Sequence, residues 1–231
     1  MDPRTLARID SSGYISAAPP PETSSIILLT STSMPGKNIC RLLLNPFNYL
    51  SGVRALASGL SILIATALIA ALGQCRFDGV LGFHLGSTDH VGFGINLIEV
   101  LVAWLLMSSL LFAGGRLITG SRVRPFELFA TQALARGPLL FTALAGMFPG
   151  PHRYALKVLP GGEEIAVLPA DAVFYCLTLA VVILMLIWMV ALQYRSFKFS
   201  CEVSGPKALG MFAIALVTGE AISLLLLIAL V

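Results

Sequence analysis

Three ionisable side chains stand well inside long apolar stretches of this chain, away from their ends: Arg136, Glu220 and Glu99. A charge within a lipid-spanning helix is expensive, so such residues face the protein interior, pair with one another or line an internal path. Counted by helical rise, Arg136 and Glu220 lie at one depth, and Glu99 lies roughly 9 Å further out. Matched depth predicts an ion pair between Arg136 and Glu220. A buried pair of this kind fixes helix register; it adds little net stability, yet breaking it is costly. The other chemistry open to the trio is conduction along a polar path through Arg136, Glu220 and Glu99. Arg136-Gly137-Pro138 adds a backbone feature. Pro138 offers no N–H to the carbonyl of Leu134 and Gly137 relaxes the local geometry, which predicts a kink that turns Arg136 inward.

The remaining chemistry-bearing residues are scattered. His84, His90 and His152 fall between the apolar stretches, with Asp78 and Asp89 close to two of them. No HxxxH or HExxH spacing sets ligands on one helical face, so they read as solvated loop histidines, with no metal and no cofactor. Glu163-Glu164 beside Gly161-Gly162 reads as a hairpin tip, because an acid–base pair needs an apolar enclosure. Cys40, Cys75, Cys176 and Cys201 contain no CxxC spacing, which argues against a disulfide or zinc role. No GxSxG, P-loop or dinucleotide glycine motif occurs, and no paired catalytic groups stand at helical spacing. An enzyme is not expected.

The elements that must position these residues are five apolar stretches of about 20 residues each: 55–73, 95–114, 126–148, 172–193 and 208–230. At about 1.5 Å per residue each matches a hydrocarbon core of roughly 30 Å. Of 231 residues, 57% are hydrophobic and 12% charged, against about 25% charged in soluble domains. The fold class is an all-α integral membrane protein with five transmembrane helices. Lys and Arg set its orientation, since cytoplasmic loops retain them. Eleven lie on one side (Arg4, Arg8, Lys37, Arg41, Arg54, Arg116, Arg122, Arg124, Arg195, Lys198, Lys207), and three lie on the other (Arg76, Arg153, Lys157). The N-terminus is therefore expected in the cytoplasm. The net charge of +3 follows from these flanks and needs no nucleic-acid partner; the lipid bilayer is the first partner.

Residues 1–37, with the Pro19-Pro20-Pro21 run, read as a disordered cytoplasmic tail, and 38–231 as the membrane domain. Asn38–Leu50 reads as a short interfacial helix interrupted at Asn45-Pro46-Phe47, because Pro46 disfavours helix at Asn45. The first outer loop, 74–94, holds five glycines. In the other outer loop Tyr154, Leu156 and Val158 alternate before Pro160-Gly161-Gly162, and Ile165 and Val167 alternate after it, which is a hairpin pattern. A lone hairpin is marginal in water, so the two loops are expected to pack as one small β-containing outer cap. In it Phe77, Val80, Leu81 and Phe83 would cover the hairpin. Small residues at Ala67 and Ala71, or Gly146 and Gly150, allow close helix approach.

Taken together, several segments resemble a known family. Leu44-Asn45-Pro46-Phe47 with Leu50 and Arg54-Ala55-Leu56, then Phe77-Asp78-Gly79-Val80-Leu81 and His84, are similar to bacterial members of the Yip family. So are Arg124-Pro125-Phe126, Ala135-Arg136-Gly137-Pro138 within the third span, and Trp188 with Tyr194-Arg195-Ser196-Phe197. The likeness covers about residues 44–230. It implies a five-pass, non-enzymatic membrane protein related to the eukaryotic Ypt/Rab-interacting proteins, which act in vesicle trafficking. In those relatives the cytoplasmic N-terminal region contacts small GTPases; the short tail here argues against small-GTPase binding. The resemblance therefore implies a protein of a bacterial inner membrane that organises membrane or partner proteins, other membrane proteins or further copies of itself among them. The competing reading is a transporter or channel component built on Arg136, Glu220 and Glu99. A polar cavity reaching Arg136 would favour transport, and a dry, sealed contact would favour scaffolding.

Overall fold

Proline marks most helix starts in this chain, because its missing N–H is one that the first turn leaves unused. The computed structural model describes residues 43–85, 92–120, 123–158 and 168–230. Along them run α1 (Gly52–Leu72), β1 (Cys75–Arg76), β2 (His84–Leu85), α2 (Phe93–Thr119), α3 (Pro125–Ala135), α4 (Pro138–Gly146), α5 (Pro149–Val158), α6 (Pro169–Cys201) and α7 (Pro206–Leu230). Five of these seven helices begin on proline. Stops are local too: Glu202 turns left-handed at φ 53° after α6, the usual way to end a helix.

Five spans are long and apolar enough to cross a membrane, α3 and α4 together making the third. They are compatible with an integral membrane protein and agree with the five stretches read from the sequence. Successive spans alternate in direction. The Glu127 carboxylate at the start of α3 accepts the Gly52 amide at the start of α1, at 3.1 Å. At the opposite end Arg76 meets Glu99 of α2.

The third span is the centre of the bundle, touching α1, α2 and α6. It meets α1 closely at Gly59, where a Cβ would stand 2.6 Å from Ala133 Cβ and 2.7 Å from the Leu134 nitrogen. Only hydrogen fits there. Of the small residues proposed from the sequence, Gly146 and Gly150 also allow close approach, with Cβ positions 2.3 Å from Cys75 Sγ and 2.9 Å from Asp171 Oδ1. The expected kink is a full break. Arg136 N–H turns to Ala133 O (3.3 Å) and Gly137 N–H to Leu134 O (3.0 Å), a tighter pattern than the α-helix, before Pro138 opens α4.

One further expectation holds where it is described, and two change. Leu43 and Leu44 are helical, the helix is interrupted at Asn45, and Pro46 opens a 3-10 turn over Pro46–Asn48. Residues 38–42, like the tail at 1–37, lie outside the described residues. Tyr154, Leu156 and Val158 belong to α5 and not to a strand. Pro149 and Pro151 start a helix here, and Tyr154 packs on Tyr175 of α6 with ring centroids 5.0 Å apart. The Gly161-Gly162 tip and the 163–167 arm lie outside the described residues. The two-stranded antiparallel hairpin comes instead from the first loop, pairing Cys75 with Leu85 and Arg76 with His84.

The chain between these strands does not sit above the helices as a cap. Phe77 and Val80 are buried, and Val80 joins Met107, Leu111, Leu128, Phe197 and Phe212 in the main core cluster. Met107 lies fourteen residues into α2, about 20 Å from its start. The loop folds in among the helices. α5 touches β2 and packs along α6.

Candidate functional site

Non-helical backbone at membrane depth survives only where protein satisfies its polar groups. Glu220 of α7 does this for the loop between β1 and β2: its Oε2 accepts the Leu81 amide at 2.9 Å. Gly79 lies against the same carboxylate, with a Cβ position 3.2 Å from Oε1 and 3.3 Å from Ser223 Oγ. A side chain at Gly79 would separate carboxylate and loop.

Arg136 is 1% exposed and is the largest fully buried side chain. Its Nη2 donates to the carbonyl of Ala103 in α2 at 2.9 Å. Among the described residues no ion pair joins it to Glu220, which acts on it only through space. The predicted pair is therefore corrected. Depth was matched, but the helices are rotated so that each charge serves backbone: Arg136 a helix carbonyl, Glu220 a loop amide.

Glu99, predicted as the outermost of the three, belongs to another group. Its Oε1 takes Arg76 Nε at 2.8 Å, while Oε2 is buried without a hydrogen-bond partner among the described residues. Arg76, Asp78, Glu99 and Ser223 line a largely apolar crevice of about 250 Å³ together with Ile98, Val102 and Leu226. Next to it Asp78 Oδ2 meets His84 Nδ1 at 2.8 Å, and the His84 side chain stays largely exposed, as expected of a solvated histidine. His90 lies outside the described residues. His152 on α5 is partly enclosed, and burial lowers its pKa. Burial also pushes the Cys75 thiol up to about 12. Where α5 meets α6, Arg153 holds Asp171 Oδ1 at 2.8 Å, and this hydrogen bond raises the guanidinium pKa.

A further polar network went unread in the sequence. Gln132 Nε2 donates to the Gln193 carbonyl (3.0 Å) and to Ser196 Oγ (3.1 Å); Ser196 donates to Thr131 Oγ1 (2.7 Å), which also meets Ser200 Oγ at 2.9 Å. All are buried where α3 crosses α6. The visible signal was Gln193, Ser196 and Ser200 at spacings of three and four, one helical face of an otherwise apolar span.

No group of three metal-ligating side chains occurs among the described residues. Comparisons with family models, curated proteins and solved structures return no match to this chain.

Proposed function

We propose that this chain is a non-enzymatic, Yip-like integral membrane protein of a bacterial inner membrane, N-terminus cytoplasmic, that organises membrane or partner proteins. One observation supports this over transport: Arg136 is sealed in the bundle and engaged with the Ala103 carbonyl. Ala103 lines the crevice and Arg136 does not. A conducting charge needs access from one face, and this one has none. The crevice with Glu99 is what favours the transporter reading, but Arg136 is not among the residues that line it.

Two readouts on the full chain test the proposal. A photo-crosslinking residue at Leu117 or Val53, both well exposed near the same end of the bundle, is expected to form discrete protein adducts in native membranes. Liposomes holding the purified protein are expected to keep imposed proton and potassium gradients as well as empty ones. A flux abolished by Glu99→Gln, with no adducts, would put a transporter in place of the scaffold.

A further inference from the structure

We infer that the crevice beside Glu99 binds the headgroup of a zwitterionic phospholipid carrying a primary ammonium, entering sideways from the bilayer. The inference is separate from the scaffold reading and stands on the crevice alone.

Its chemistry is two-signed. Arg76 uses only Nε toward Glu99, which leaves its terminal nitrogens without a partner among the described residues. Glu99 uses only Oε1, and its buried Oε2 has no partner there. A buried carboxylate oxygen without a donor is costly. A ligand that brings an N–H to Oε2 removes that cost, and one that also brings a phosphodiester meets the guanidinium fork beside it. An ethanolamine headgroup carries both groups a short chain apart. Asp78 and Ser223 stand at the same wall for the remaining ammonium hydrogens. A choline headgroup has no N–H to give, and a glycerol headgroup has no cation.

Access and depth agree with this occupant. The lining residues Ile98, Val102 and Leu226 are exposed on the apolar flank, Ile98 at 63%, so the opening faces hydrocarbon and not bulk water. Glu99 lies six residues inside the start of α2, about 9 Å by helical rise, near the level where headgroup meets acyl chain. A crevice of about 250 Å³ receives a headgroup while the acyl chains lie along these exposed residues outside. A freely soluble amine would have to arrive through lipid, so the bilayer is the source.

The test is native mass spectrometry of the full chain in detergent. It is offered equal amounts of phospholipids with ethanolamine, choline and glycerol headgroups and matched acyl chains, and soluble phosphoethanolamine in a separate arm. Retention of the ethanolamine lipid is expected to exceed that of the other two about tenfold, the worth of one charge-assisted hydrogen bond. The soluble headgroup is expected not to compete. Glu99→Gln should abolish the preference. Ile98→Trp, at an exposed position that leaves every charge in place, should block retention even if the glutamine variant folds poorly. Equal retention of the three lipids, preference for the glycerol lipid, or ethanolamine preference surviving Ile98→Trp would each overturn the inference, and displacement by soluble phosphoethanolamine would overturn its lipid source.

Discussion

The broken third span and the unbroken α6 run side by side, yet 67% of one apolar window is buried inside the protein and 17% of the other. The buried span carries Gln132, Arg136, Gly137 and Pro138 and stops being helical in its middle. The less buried helix continues for 33 residues and turns Gln193, Ser196 and Ser200 toward α3. The difference teaches where a membrane bundle tolerates irregularity. Lipid offers no hydrogen bonds, so breaks and charges belong where neighbouring helices answer them. The loop between β1 and β2 extends the same rule to a segment with no helix at all.

The largest effect expected from this contrast is at Gly59. Val at this position must push its branched carbon into Ala133 and the Leu134 backbone, and neither is a flexible side-chain end. Gly59→Val is expected to cost about 3 kcal/mol, the upper part of the overpacking range, and to lower folded yield sharply in detergent. Gly210→Ala on α7, where a Cβ meets nothing within 4 Å, is the matched control and should be neutral or mildly stabilising. Equal tolerance at both sites would break the contrast between centre and periphery.

Next in size is Glu220. Glu220→Leu leaves the Leu81 amide unanswered at depth, expected to cost about 1–3 kcal/mol, whereas Glu220→Gln keeps an acceptor and should cost less. Because Arg136 serves a different carbonyl, Arg136→Leu combined with Glu220→Leu should come close to the sum of the single changes, with coupling below about 1 kcal/mol. Recovery in the double variant would restore the direct ion pair. Cys75 reports the loop itself. With its pKa near 12 almost no thiolate exists at pH 8, so maleimide should modify it slowly, and Glu220→Leu should speed that reaction in peptide mass maps. Unchanged labelling would mean that Glu220 does not hold the loop.

Much of the scaffold was legible in the sequence, for reasons particular to each element. Apolar length fixes a span, and Pro125, Pro138, Pro169 and Pro206 announce helix starts by their own geometry. The charges at Arg136, Glu220 and Glu99 were visible because they stand away from the ends of their apolar stretches, whereas Glu127 sits at the edge of its own. Their partners were not. Depth follows from counting residues, but which neighbour a side chain faces depends on rotation about the helix axis. The bond from Leu81 to Glu220 spans 139 positions of sequence. The alternation at Tyr154, Leu156 and Val158 was a true period of two in five residues, too short to outweigh the helix set by Pro149 and Pro151 and held against α6.

The smallest effect concerns that helix. α5 is tied to α6 by Arg153 and Asp171, whose guanidinium and carboxylate meet twice, at 2.8 Å and 3.4 Å. Arg153 is 43% exposed while Asp171 is 5% exposed. Water and salt screen the outer partner, and such pairs add little to global stability. The carboxylate holds the guanidinium above its ordinary range, so Arg153 stays charged at every working pH. Asp171 has a second task that Arg153 lacks: its Oδ2 accepts the Leu168 amide at 3.1 Å and closes the first turn of α6. The two residues should therefore part company. Arg153→Gln is expected to leave the melting temperature nearly unchanged and to speed hydrogen exchange only within Pro149–Val158. Asp171→Ala should do that and also loosen the start of α6, because a capping acceptor is lost at a helix terminus. If Arg153→Gln instead sped exchange in the third span, α5 would be part of the buried centre, and the division between an enclosed core and its appendages would have to be redrawn.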